Sequence, residues 1–471
     1  MKFPTAAALI LLLRPPSFGA DWQAGAATVS ITPEPGLPLA GYYFERGAEG
    51  TLDDIGAHAV VFEKDGTVAA VVTLDLISTT RDMVEMARAE IEKRTGIPGS
   101  SVLISATHTH TAPTLPRPGR RGIADGGDKP AVHEYAATLP GKIAEAVAKA
   151  RATLAPARLL AATGSEPRLS YNRRFFMADG SVGWNPGKKN PAILRTAGPI
   201  DPEVGVLCID RPTAPPTAAP LPVACLVNFA MHPDTTGGTR YSADYPGALG
   251  RQLKAWRGAD LVVPFANGCS GNLNHIDVGW PDGQKGPGEA HRIGTILAAA
   301  VMQACKSASP LTDGPLVVRS ETVALDLFPI DPDELARARA VAEQDASAGP
   351  RPGFFEQVKA YRALDVAARD GKPLEVEVQV IALGPELACV SLPGEIFVEL
   401  GLAIKASSPF PRIHIAELAN GAIGYIPNHK AYAEGAYEVI SSRVADGSGE
   451  KLVDAAVRIL REIHRAMTPP K

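Results

Sequence analysis

Two histidines, His108 and His110, stand one residue apart in SATHTHTAP (105–113), directly after the apolar run Val102-Leu103-Ile104. In an extended chain, residues i and i+2 face the same way, so both imidazoles can aim at one point. Such a pair suits a metal ion, or one ring binds the metal while the other handles a proton. A polar strand end facing solvent is the plain alternative. Two more apolar runs end in groups of similar chemistry. LPVACLVNFAMHP (221–233) carries His232, and SLPGE (391–395) ends in Glu395. Each alone has an ordinary reading, as a hydrogen-bonded histidine or a helix-capping carboxylate. Together they approach what zinc needs, about four N, O or S donors at roughly 2.0–2.3 Å.

Such residues need elements to hold them. HAVVFEKDG and TVAAVVTLDLI (58–77) predict a hairpin turning at Asp65-Gly66. DMVEMARAEIEKRTG (82–96) has helical periodicity and stops at a glycine. SVLISATHTH (101–110) reads as a strand, which puts the histidine pair at its C-terminal end, where α/β folds keep their chemistry. Residues 114–131 read as a mobile loop able to cover that site. Helices are expected over 133–154, 289–305 and 451–467, the last amphipathic through Leu452, Val453, Val457, Leu460 and Ile463. Buried strands are expected over 221–233 and 261–272, and a hairpin over 374–395. Residues 331–372 read as a polar helical insertion on the surface. The chain shows no internal repeat and no dividing linker. The fold class expected is α/β, a single large catalytic domain with a mixed β-sheet core flanked by helices and a metal site at strand ends.

Bulk properties narrow the function classes. The 471 residues are 45% hydrophobic and 21% charged, with a formal net charge of −4, which gives no electrostatic case for nucleic acid or an anionic membrane surface. Lys2, the apolar run over 6–13, and the small residues Ser17, Gly19 and Ala20 read as a signal peptide over residues 1–20, implying a secreted or periplasmic protein. That run is too short to span a bilayer, and no other transmembrane segment is expected. The cysteines, at 208, 225, 269, 305 and 389, are odd in number and do not form a disulfide scaffold; Cys225 and Cys389 are expected to pack as small hydrophobes.

The ordered set ISATHTHTAP, SYNRRF, NFAMHP with YSADYPG, FANGCSGN, SLPGE and ANGAIGYIPNHKAYAEGAYE resembles the N-terminal catalytic domain of the neutral, non-lysosomal ceramidases and their bacterial relatives. The resemblance runs from about residue 24 to the C-terminus. It implies one Zn2+ held by His108, His232, Glu395 and Tyr425. It places His110 beside the metal, with Arg173 and Tyr437 at other active-site positions. Zinc can lower the pKa of bound water from 15.7 to about 7, so the implied reaction is attack of the resulting hydroxide on a carbonyl carbon. His110, Arg173 and Tyr437 then stabilise the oxyanion or pass a proton to the leaving group. Asp75 and Asp244 lie in matching regions and are expected either to orient a histidine or to be plain structural carboxylates.

One turn departs from the family. Alignment on Gly271 puts Asn274 where ceramidases carry a serine, His275 where they carry proline, and Asn272 where an aspartate is common. Ser270 precedes the glycine instead of following it. In the family this turn meets the reacting end of the substrate, so its change predicts an altered substrate. The chain also ends after the terminal helix, without the β-sandwich domain that follows in ceramidases. The reading is a zinc hydrolase of the ceramidase type acting on a small molecule, with an N-acylated lipid as the expected substrate. Two alternatives are an ester or acylated sugar derivative as substrate, and a relative that binds lipid or glycan without turnover.

Overall fold

The computed structural model describes residues 22–117, 119–213, 220–345 and 352–468. The stretch read as a signal peptide lies outside the described residues, apart from which the chain forms a mixed α/β structure. Three larger sheets make its core. The first runs in the order Val102–Ala106, Thr67–Leu74, Gly56–Lys64, Gln23–Ser30, Ala155–Pro156. The second runs Phe265–Asn267, Leu221–Phe229, Glu203–Arg211, Arg158–Ser165, Ser309–Pro310. The third runs Leu316–Leu325, Leu374–Leu383, Leu387–Ser391, Arg412–Ala416.

Most neighbours are antiparallel, yet each sheet has one parallel pair. These are Thr67–Leu74 with Val102–Ala106, Leu221–Phe229 with Phe265–Asn267, and Leu387–Ser391 with Arg412–Ala416. Strands in a parallel pair end at the same edge, and the loops that leave them open there together. His108, His232 and Glu395 each follow one strand of such a pair.

Most of these strands are buried on both faces, the edge strand Leu316–Leu325 being mostly exposed or half-buried. Val60, Phe62, Val71 and Leu103 enter a central cluster with Leu207, Ile209, Ile381 and Leu383, so the three sheets meet there. The intervening Val61, Val72 and Ile104 pack against the helices Arg81–Thr95 and Pro130–Ala152. The second sheet is covered by Asp244–Arg257 and Pro287–Cys305, and the third by Val398–Ser407 and Ser448–Met467. Each such aliphatic side chain contributes about 1.5–3 kcal/mol on burial. Two buried faces also explain why the strands read as unbroken apolar runs.

Local chemistry matches the sequence in several places. Asp65 and Gly66 both take positive φ, 50° and 80°, as a two-residue hairpin turn requires. Thr80 caps Arg81–Thr95 by accepting from the Met83 amide, and Gly96 ends it in the left-handed conformation. Cys225 and Cys389 are buried, and all five cysteines are free. No helix among the described residues is long and apolar enough to cross a membrane.

Three expectations hold only in part. The segment 114–131 is not loop throughout: Gly119–Asp125 is helical, and a long helix begins at Pro130. The apolar run 261–272 pairs as a strand only over Phe265–Asn267. The segment 331–372 is helical as expected and its first helix is largely exposed, but its second helix enters the core. It forms helices Pro332–Asp345 and Phe354–Ala367, which meet through Ala338, Ala360 and Ala363. The second helix then buries Val358 and Tyr361 against Tyr43, Tyr425 and Tyr437. Its apolar stripe is narrow and partly aromatic, and the charges flanking it mask the pattern.

Candidate metal centre and its cavity

The strand Val102–Ala106 stops before the histidine pair. His108 has φ 75°, in the left-handed region that side-chain-bearing residues seldom use. It is pinned there by the chain leaving Thr67–Leu74: the Thr107 amide donates to the Leu74 carbonyl at 2.8 Å, and the His108 amide to that of Leu76 at 2.9 Å. The two imidazoles converge as the spacing predicts, but on a strained turn instead of an extended strand. Their ring centroids are 4.9 Å apart.

His232 arrives from the second sheet, its ring 4.5 Å from that of His108. Ring nitrogens of His108, His110 and His232 all lie within 4.8 Å of one another. Glu395 arrives from the third sheet. Its Oε2 is 3.5 Å from His108 Nε2 and 3.4 Å from His232 Nε2. The short strand Glu395–Ile396 pairs in parallel with Tyr425–Ile426, with Glu395 directly opposite Tyr425. Gly271 permits this packing, since a Cβ there would sit 2.5 Å from the Glu395 carbonyl oxygen.

The hydrogen bonds fix the tautomers. His108 Nδ1 is 2.7 Å from the Ile77 carbonyl, and His232 Nδ1 is 2.9 Å from that of Ser270. A carbonyl only accepts, so each Nδ1 carries a hydrogen and each neutral ring leaves its Nε2 lone pair free. His232 Nε2 and Glu395 Oε2 are buried with no hydrogen-bond partner. Two acceptors facing each other in this way cost roughly 1–3 kcal/mol apiece. A cation between them satisfies both, and imidazole nitrogen with carboxylate oxygen suits zinc.

The electrostatics couple Glu395 to His108 and keep His232 neutral. Burial opposes ionisation of Glu395, but the His108 imidazole beside it holds the carboxyl well below the usual range. Burial lowers the pKa of His108, yet the Glu395 carboxylate outweighs it and the net is upward. Burial, then Arg173, pushes His232 down to about 4, so it stays neutral. Burial and the Glu395 charge hold Tyr425 well above the ordinary phenol value, against Arg173. An added positive charge favours the phenolate.

Arg173 reaches this centre through Tyr425. Its Nη2 donates to the Tyr425 phenol oxygen at 3.1 Å and to the Gly271 carbonyl at 2.6 Å, while Nε bonds Glu438 at 2.8 Å. Glu438 in turn takes Arg174 at 3.0 Å. Tyr437 packs 5.4 Å from Tyr425 and 4.4 Å from Trp184, centroid to centroid. A cavity of about 660 Å³ opens over the group, with His108, His110, Glu395, Tyr425 and Tyr437 in its wall. Tyr361, Arg117 and Arg121 also stand in that wall. His110 lies under Gly41, whose φ is 95°; burial and the neighbouring His108 lower its pKa well below the ordinary value.

Asp75 and Asp244 take the structural role, the second of the two expected for them. Asp75 accepts from the Gly56 amide and bonds His58; Asp244 accepts from the Thr236 and Tyr245 amides. Neither orients a site histidine, because the carbonyls of Ile77 and Ser270 do that. The 270–277 turn is absent from the cavity wall. Asn274 bonds Asn185, and His275 sits between Asp234 Oδ1 and the Gln284 carbonyl. Sequence reasoning also missed Glu417. It is buried, accepts from the Ser270 hydroxyl at 2.5 Å and from the Ile396 amide at 2.8 Å, and burial pushes it up to about 8. It therefore braces the backbone behind both His232 and Glu395. Its signal is a lone carboxylate directly after RIHIA, whose isoleucines alternate with polar residues as in a strand.

No protein-family model and no curated protein matches the sequence. Solved structures do. The crystal structure of neutral ceramidase from Pseudomonas aeruginosa is 20% identical, with a TM-score of 0.73 over 94% of this chain and 75% of that one. A ceramidase complexed with C2 is also 20% identical, at 0.71 over 94% and 76%. The chain thus has the neutral ceramidase fold.

Proposed function

We propose that the protein is a zinc-dependent hydrolase that cleaves an N-acyl bond, releasing a carboxylic acid and an amine. His108, His232, Glu395 and Tyr425 would hold the ion. Bound there, zinc supplies a Lewis acid that polarises a carbonyl and acidifies water to about pKa 7. The observation that carries this reading is the pair of buried, partnerless acceptors, His232 Nε2 and Glu395 Oε2, facing the fixed His108 Nε2.

The chain's own residues then divide the work. Neutral His110, in the cavity wall, takes a proton from the attacking water and returns it to the leaving nitrogen. Tyr437, also in the wall, donates its hydroxyl to the carbonyl oxygen as negative charge develops there. Arg173 acts at one remove, by donating to the Tyr425 oxygen. Glu417 keeps His232 and Glu395 in register through Ser270 and Ile396. The ceramidase fold supports an amide as the scissile bond, and the apolar N-terminal run that reads as a signal peptide supports action outside the cytoplasm.

The test is hydrolysis by zinc-loaded protein across matched N-acyl amides and esters, with Tyr437→Phe as a control. Amine release that falls at least about 100-fold in the variant supports the proposal. Faster hydrolysis of the esters shifts the substrate class. A zinc-loaded protein that hydrolyses neither is a binding relative, and the proposal fails.

A further inference from the structure

The cavity wall is strongly charged. Five arginines line it against three carboxylates, in a chain whose total charge is −4. Two arginines are committed: Arg443 Nε and Nη2 both bond Asp365, at 3.0 and 2.5 Å, and Arg369 donates to the Lys372 and Pro373 carbonyls, at 3.2 and 3.0 Å. Arg117 and Arg121 are different. Arg117 Nη1 and Arg121 Nε are buried and have no hydrogen-bond partner among the described residues. Asp125, which also lines the cavity, accepts from the Gly127 amide and lies within electrostatic reach of both guanidiniums, one carboxylate against two cations.

The Arg121 guanidinium is held in place by an aromatic ring. Arg121 lies 4.1 Å over the Tyr43 ring, which itself stacks on Tyr361 at 6.2 Å. Arg117 sits close enough to Arg121 that this neighbour, with burial second, pushes its pKa down to about 10. A buried guanidinium nitrogen without an acceptor is costly, and a second cation beside it adds repulsion. A protein keeps such a pair where something answers both charges. An oxyanion does, since its oxygens match the guanidinium fork.

We infer that Arg117 and Arg121 form an oxyanion-recognising subsite, so that the substrate is an acyl compound carrying a carboxylate or phosphate and not a neutral lipid amide. The word substrate rests on the hydrolase reading; the subsite does not.

The experiment measures binding to the full zinc-loaded protein by titration calorimetry, with three probes. They are N-dodecanoylglycine, N-dodecanoyl-O-phosphoethanolamine and the neutral N-dodecanoylglycinamide. At least one charged probe should bind about tenfold or more tighter than the neutral one. In Arg117→Gln/Arg121→Gln that preference should fall to about twofold or less, with zinc content unchanged. Arg121→Lys, which keeps the charge and loses the fork, should fall between. Equal binding of charged and neutral probes, or binding of none, overturns the subsite. So does a preference that survives in the double variant, which would place the anion on the metal. Amine release in the same mixtures reports the hydrolase separately. Charged probes that bind tightly without cleavage sink the hydrolase and leave the subsite. Equal turnover and equal binding of charged and neutral probes do the reverse.

Discussion

His110 and His108 lie two residues apart and share one electrostatic neighbourhood, yet the account gives them different work. Both line the cavity, but His108 Nε2 faces Glu395, while His110 lies under Gly41 with its Nε2 3.4 Å from that of His108. His110→Ala should therefore keep zinc at about one per chain while hydrolysis falls roughly 100-fold or more. Loss of the metal in that variant would make His110 a ligand. Glu417→Gln should weaken zinc binding about 10–100-fold in a chelator competition, as removal of an outer partner does. Unchanged affinity would reduce Glu417 to a structural carboxylate. At this scale, the residues named from sequence were mostly brought together, because HTH, SLPGE and the late tyrosines are compact signals. Glu417, Arg117, Arg121 and Tyr361 escaped for a physical reason. Their roles depend on what faces them across the fold, and no spacing in the chain records that.

The elements that position the site are short and unusual. The turn at His108 replaces the strand that periodicity suggested, since an apolar run shows where a strand begins more clearly than where its hydrogen bonds stop. Gly41 offers a test of such fine positioning. A Cβ there would come within 2.3 Å of His110 Nδ1, at a φ of 95° that alanine tolerates poorly. Gly41→Ala should lower kcat with zinc retained; an unchanged kcat would show that His110 need not be held. The strand Arg412–Ala416 carries a second test. His414 is buried with both ring nitrogens unpartnered, and burial pushes it down to about 3. The unfolded chain binds its proton near pH 6.5 and the folded chain does not, so stability falls as pH drops below about 6.5 toward 3. Between pH 7 and pH 5 the loss from this group is about 2 kcal/mol. Urea midpoints at the two pH values should differ less in His414→Leu than in the parent. An equal difference would mean that His414 stays neutral in both states.

For the whole molecule, the central feature is three sheets around one cluster, each delivering a candidate ligand from the end of a parallel pair. The α/β class was legible, because strand and helix patterns alternate along the chain. The division into three sheets was not, since strands buried on both faces carry no mark of which sheet they join. An ion bridging the three would stabilise the assembly, by about 4 kcal/mol at a thousandfold excess over its dissociation constant. Chelation should lower the melting temperature and added zinc restore it; a melting temperature indifferent to chelator would show that the ion ties nothing together. The most direct measurement is the metal content of purified protein by elemental mass spectrometry. The account predicts about one zinc per chain, lost in folded His232→Ala and in folded Glu395→Ala. Protein that purifies without zinc and takes up none, or variants that keep it, would contradict the centre on which the rest depends.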